Sequence, residues 1–373
     1  MKAGKHILIQ LMTLCAVLSI AAASSACAGD SDFKNASLTD TYPVIAVLPL
    51  VDYCDNVAAV ALIDSLIEDQ FDRGTLASIE FDSLRQALRH HRIRSAGEIT
   101  VDGASVLADD LGAEFLMLGS CDIYFDGEVP EAGISVRLLD IEAGRIVWAI
   151  SEAATGNDFA GLFGIGRITS AETLAEKLVE RVFKSLNNYV IRDRAAVPID
   201  ADADKYALVP FDNLSDNRQA GSIITSVLLS EMVGRGLNVE EPGEVNEMFR
   251  MIGEQPRGAV DIKSLRLLHD SLGVDFVVTG TVDRFKRGLA DVTGSSPGIE
   301  ISGRLIETRT GRIVGSCEIA RNGTDSEIVL GMGECHSIGR LAGNMAHSLL
   351  DKLESHRKEW FAGGGSDNKQ GNR

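Results

Sequence analysis

Asp110-Leu-Gly-Ala-Glu-Phe-Leu-Met-Leu-Gly119 and Ser271-Leu-Gly-Val-Asp-Phe-Val-Val-Thr-Gly280 are the stretches on which the reading of this 373-residue chain turns. Leu111, Gly112, Phe115 and Gly119 recur as Leu272, Gly273, Phe276 and Gly280, each displaced by 161 positions. The same displacement carries Pro49 to Pro210 and Asp55-Asn56 to Asp216-Asn217. Further on, Arg137-Leu138 and Gly144-Arg145-Ile146-Val147 recur as Arg304-Leu305 and Gly311-Arg312-Ile313-Val314 at a displacement of 167. Gly164, Gly166 and Ser170 recur as Gly331, Gly333 and Ser337 at that second displacement. So many spaced matches mean one unit written twice, with six extra residues in the second copy between Gly280 and Arg304.

Each copy reads alike. A β-run opens it (44–50; 206–210), and an amphipathic helix follows, with Leu62, Ile63, Leu66, Ile67 and Phe71 at helical spacing. Two further helices lie near 83–91 and 103–111, the latter ending at Gly112 as a C-cap. A strand spans 115–125, and a hairpin follows with arms at 134–141 and 145–153 about a turn at Gly144. The copy closes on a long helix near 170–187, striped with Leu174, Leu178 and Val182. Helices interleaved with strands that end in an antiparallel hairpin predict an α/β fold: two tandem repeats of a mixed β-sheet flanked by helices. The expected division is a signal segment 1–27, a polar tether 28–42, domains at 43–190 and 206–357, a linker 191–205 and a disordered tail 358–373.

The first 27 residues bear on the compartment. Lys2 and Lys5 precede an apolar run over 7–23, and small residues lead to Cys27. A basic start, an apolar middle and a small-residue exit form an export signal. Ser25-Ala26-Cys27 resembles the end of a bacterial lipobox, whose cysteine carries the lipid, although Ser24 stands where that pattern prefers Leu. Ordinary cleavage at Ala26-Cys27-Ala28 is the rival. Ala28 after the cysteine implies, by analogy, the periplasmic side of the outer membrane; without the lipid the chain would be soluble and periplasmic. Losing two lysines takes the formal net charge from -18 to -20. Such acidity argues against nucleic acid and broad adhesion to anionic lipid, so the only expected membrane contact is the anchor.

Ala207-Leu-Val-Pro-Phe-Asp-Asn-Leu-Ser215 resembles the opening of CsgG-like domains and of the TolB amino-terminal domain. The Leu-Gly segments before a strand and the Gly-Arg-Ile-Val turns resemble the same group, which includes the curli secretion lipoprotein and LpoB- and FlgT-type proteins. The resemblance covers about 45–190 and 206–355 and implies a CsgG-like periplasmic fold in each copy. No cofactor is expected from the residues. A curli-type channel would need an inserted β-hairpin with strands of about 9–11 residues. The loop between Phe125 and Ile134 is too short, and Gly156, Gly161, Gly164 and Gly166 interrupt the one after Ala153.

Candidate chemistry is sparse. Gly164, Gly166, Gly331 and Gly333 precede the last helices and form candidate anion-binding loops, since helix N-termini offer free N–H groups. Tight turns with Ser170 and Ser337 as N-caps explain the same pattern. Cys54, Cys121, Cys317 and Cys335 allow one disulfide per copy, Cys54–Cys121 and Cys317–Cys335, or a set of buried thiols. Cys335-His336 is not read as a catalytic pair, and no metal site is indicated. Acidic pairs such as Glu240-Glu241 read as helix surface. The expectation is a non-enzymatic exported lipoprotein, an assembly or scaffold module with unknown envelope partners. The alternatives are a periplasmic small-ligand or nucleotide sensor and a subunit of an oligomeric secretion channel.

Overall fold

A computed structural model describes residues 43–74, 76–93, 97–161, 165–190, 203–255, 258–288, 296–326 and 334–362. Cys27, the tether and most of the linker lie outside these residues. Tyr42–Arg373 makes one compact unit.

In the first half, β1 (Val44–Val47), β2 (Val51–Asp52), α1 (Val57–Arg73), β3 (Ala77–Ser78), α2 (Phe81–His90) and α3 (Val101–Leu111) lead to three long strands. These are β4 (Phe115–Phe125), β5 (Glu131–Asp140) and β6 (Arg145–Thr155), and α4 (Ala171–Asn188) ends the half. The second half repeats the series: β7 (Lys205–Leu208), β8 (Asp212–Asn213), α5 (Ala220–Gly234), β9 (Asn238–Val239), α6 (Pro242–Met251) and α7 (Ile262–Leu272). It then runs through β10 (Phe276–Lys286), β11 (Gly298–Glu307), β12 (Ile313–Asn322) and α8 (Ile338–Ala362). The first sheet has the order β3-β1-β4-β5-β6 with β2 on β4; the second is β12-β11-β10-β7-β9 with β8 on β10. Corresponding strands take corresponding places. In each sheet the early strands are parallel and the hairpin antiparallel. The six extra residues fall between β10 and β11.

The repeated Leu-Gly segment shows its purpose. Gly112 and Gly273 cap α3 and α7 in the left-handed region, both at φ 67. Gly119 and Gly280 sit where a Cβ would come within 2.5 Å of Ser135 O and 2.0 Å of Ser302 O. A side chain there would push the central strand off its hairpin neighbour. Asp64 of α1 accepts from Leu50 N at 3.1 Å, and its counterpart Thr225 of α5 accepts from Phe211 N at 3.0 Å.

The halves share a core. One hydrophobic cluster includes Leu84, Leu107, Leu118 and Leu139 of the first half and Ile224, Leu228, Met345 and Leu349 of the second. Helix α5 packs on β5 and β6 of the first sheet as well as on β10 of its own. It is accordingly apolar on most sides, with Ile223, Val227, Leu229 and Met232 buried. Helix α8 continues to Ala362, past the expected end at 357. Trp360 and Phe361 pack on the core, and the Phe361 ring stands edge-on to Phe276.

Glu240-Glu241 corrects the surface reading. Glu240 is 5% and Glu241 0% exposed. Arg137 donates through Nε and Nη to both Glu241 carboxylate oxygens at 2.9 and 2.5 Å, and to Gly97 O at 2.7 Å. Glu240 pairs with Lys205. Helix α6 adds Glu244, which accepts from Val101 N at 2.6 Å. Removing one partner of such a pair leaves a bare buried charge. Arg137→Met is therefore expected to cost about 3–5 kcal/mol, and Arg137→Met with Glu241→Gln to recover much of it. Urea unfolding of the four proteins of the cycle checks this; a double variant destabilised by the sum of the two single effects would show the pair is not coupled.

Candidate functional site

Between the halves lies a cleft of about 460 Å³, within the range of small-molecule sites. The loop after β2 and the far end of β4 bring Tyr53, Asp55, Asp122 and Phe125 to it. The second half brings Asp216, Arg218 and Arg287. Asp55-Asn56 and Asp216-Asn217, which marked the repeat in sequence, open this cleft or the helices beside it. Asp55 sits at φ 54, and Asn56 caps α1 by accepting from Ala59 N at 3.1 Å.

Two buried carboxylates flank the cleft. Asp122 accepts from Ser120 Oγ at 2.6 Å and from Ser135 Oγ at 2.5 Å. Burial pushes its pKa up to about 7, against these two bonds. Glu131 reaches from β5 to the start of α8 and accepts from Ile338 N at 2.6 Å. Burial raises it to about 7 as well, opposed by bonds from Ser337 and the helix N-terminus and by the Arg287 charge. The Arg287 guanidinium lies 3.3 Å above the Phe125 ring centre, and burial lowers its pKa. Cations and carboxylates thus converge at one end of the groove, in an arrangement suited to a polar, charged ligand or peptide.

The candidate anion loops fare differently. Gly166 takes φ +86 in a tight turn, while Gly164, Gly331 and Gly333 lie outside the described residues. Arg167 donates to Glu128 O at 2.6 Å. Ser170 Oγ accepts from Thr173 N and Ser337 Oγ from Arg340 N, as N-caps do. The helix starts are also occupied by carboxylates of the protein itself: Asp126 accepts from Ala171 N at 3.2 Å and Glu131 from Ile338 N. An added anion would have to displace them. Sequence reasoning missed Asp122, Glu131, Arg137 and Arg287. Buried ionisable residues on alternating strand positions were the available signal, but only tertiary packing says which face is closed.

The four described cysteines are thiols. Cys54 and Cys121 face each other with sulfurs 3.2 Å apart. The Cys121 pKa is raised by its bond to Cys54 and by burial. Cys317 lies mid-β12 opposite Gly303, whereas Cys335 bonds to Gly323 beyond the far end of that strand. Six residues of strand, roughly 20 Å, separate Cys317 from Gly323, so the Cys317–Cys335 bridge is not possible in this fold. Among the described residues no group of His, Cys, Asp and Glu could hold a metal ion. Nor is any described helix long and apolar enough to cross a membrane.

No family model matches the chain, and no curated protein matches it. Solved structures do. A PelC dodecamer from Paraburkholderia phytofirmans is 18% identical over 43% of this chain and 95% of its own, at TM-score 0.26. Lipoprotein GNA1162 from Neisseria meningitidis is 19% identical over 41% and 99%, at 0.29. The LpoB C-terminal domain from Escherichia coli is 16% identical over 30% and 82%, at 0.25. Likeness at this level says nothing of activity or partner.

Two outcomes are expected. Mild oxidation should form the Cys54–Cys121 bond and leave Cys317 and Cys335 titratable; peptide mapping that finds any other bridge contradicts the geometry. The carboxylates give a pH dependence. Asp122 and Glu131 hold protons in the folded state, between about pH 4 and 7, that the unfolded chain has released. Their stabilisation is complete below about pH 4 and lost as pH rises through 7. The melting temperature should fall on the order of 5 °C from pH 5 to pH 8, and Asp122→Asn should flatten the fall. A rise over that range in scanning calorimetry would contradict it.

Proposed function

We propose that the chain is an exported, lipid-anchored, non-enzymatic module of a bacterial envelope complex. The observation that carries this reading is the lipobox-like Ser25-Ala26-Cys27, set after an apolar run and joined by a polar stretch to one compact two-half body. The anchor would hold the body at the periplasmic face of the outer membrane, and the polar segment would give it reach. Work would then be done by surface recognition. The conspicuous buried ionisable groups support that view, because each is engaged in a bond that holds the two halves or the sheet together: Arg137 with Glu241, Glu131 with the start of α8, Asp122 with two serines. The cleft between the halves, with Arg218 and Arg287 beside Asp55 and Asp216, offers a contact surface for a partner's charged segment.

The test is made in a Gram-negative host. The wild-type chain should fractionate with outer membranes and carry a diacylated Cys27 by mass spectrometry. Cys27→Ala should move it to the soluble periplasm or leave its signal uncut. A mature chain that begins at Ala28 or later and stays soluble would overturn the anchor, while crosslinking in the same cells identifies the partner.

A further inference from the structure

The joint between the two halves is half of a symmetric relation, and its other half is exposed. In the joint, α5 and the loop before α6 from the second half cover the face of the first sheet that carries Ser120, Ser135 and Arg137. The elements that meet at Arg137 each have a counterpart on the other copy, whereas Glu131, which crosses to the start of α8, corresponds to Gly298. Arg137 corresponds to Arg304, and Glu241, the residue that caps α6, corresponds to Glu80, which caps α2 with nearly the same backbone angles. Arg137 and Glu241 are buried and paired; Arg304 and Glu80 are exposed, and among the described residues neither has an ion-pair partner.

The polar cluster is duplicated too. Ser120, Asp122 and Ser135 become Thr281, Asp283 and Ser302; there Thr281 Oγ1 links Asp283 and Ser302, and Asp283 is exposed where Asp122 is buried and held by both serines. Apolar residues follow the pattern. Ile146 is 4% exposed, while its counterpart Ile313 is 56% exposed. Tyr53 bonds to Ser222 of α5 within the joint. Their counterparts are Leu214, 68% exposed, and Ala61 on the outer side of α1. A polar pair has been exchanged for an apolar pair on both sides at once. Leu229 and Ser230, which line the small space beside Arg137, correspond to Glu68 and Asp69 on α1. Acidic groups therefore stand where α1 would meet Arg304.

From this complementarity we infer that a second copy of the chain docks head to tail. Its α1 and the start of its α2 cover the open face of β10, β11 and β12, with Arg304 of one copy pairing with Glu80 of the next. The contact is heterologous, so it leaves a free face at each end and can extend. One difference sets its strength. Gly243 lies so close to Ile99 that a Cβ would come within 2.3 Å of its carbonyl oxygen, and Asp82 stands at the corresponding place on the docking copy. The second joint closes less tightly at that edge, and the association is reversible.

Sedimentation velocity on the full exported chain, from about 1 to about 200 µM, reads the result. The weight-average mass should rise with concentration beyond one chain. Arg304→Glu and Glu80→Arg should each weaken association ~30-fold or more, and the double reversal should restore it, because the swapped charges meet again. Both positions are exposed, so circular dichroism and melting temperature should not change. A monomer throughout the series overturns the inference. So does association that the single reversals leave intact, or that the double reversal fails to rescue.

Discussion

The bond between Arg137 and Glu241 is the constraint on which the rest of the structure depends. It takes a guanidinium from the middle of the first sheet and a carboxylate from the second half, and hides both from water. Two such charges are tolerated only because the geometry is bidentate and Gly97 accepts a further bond. Burial opposes the charge on Arg137, but the facing Glu241 carboxylate outweighs it and holds the group charged. The pair ties β5 of the first half to the loop before α6 of the second. Helix α5 can then be apolar on most of its surface, since one side serves its own sheet and the other the neighbouring half.

The same economy governs the carboxylates around the cleft. Glu131 crosses from the first half to satisfy the start of the last helix in the second. Asp122 gathers two serine hydroxyls under the interface. These groups have shifted proton affinities of the kind seen in catalytic sites, yet each is engaged in a bond that assembles the body. Displaced pKa values alone are weak pointers to chemistry when buried joints between repeats produce them equally well.

Much of the fold was legible in the residues. The Leu-Gly segments, the Gly-Arg-Ile-Val turns and the two displacements of 161 and 167 locate nearly every element, because caps and tight strand crossings admit glycine and little else. The N-cap serines and the 115–125 strand were equally readable. The site was not. Glu240-Glu241 looked like a helix surface because an acidic pair usually is one, and the basic partner lies 104 positions away on a strand. The cysteines show both outcomes: proximity of Cys54 to Cys121 follows from β2 lying beside β4, whereas Cys317 and Cys335 share a half but not a neighbourhood.

By itself the sequence determined that one α/β unit occurs twice and in what order its helices and strands follow. These are local matters of propensity, capping and periodicity, repeated and so doubly visible. Only the tertiary structure decided that the copies pack unlike with unlike, so that one copy of each equivalent surface is buried and the other exposed. That asymmetry cannot be read from Arg137 and Arg304, or from Glu241 and Glu80, which are the same residue in both places. It arises because a heterologous joint between two units uses one face of each and leaves the complementary faces to solvent.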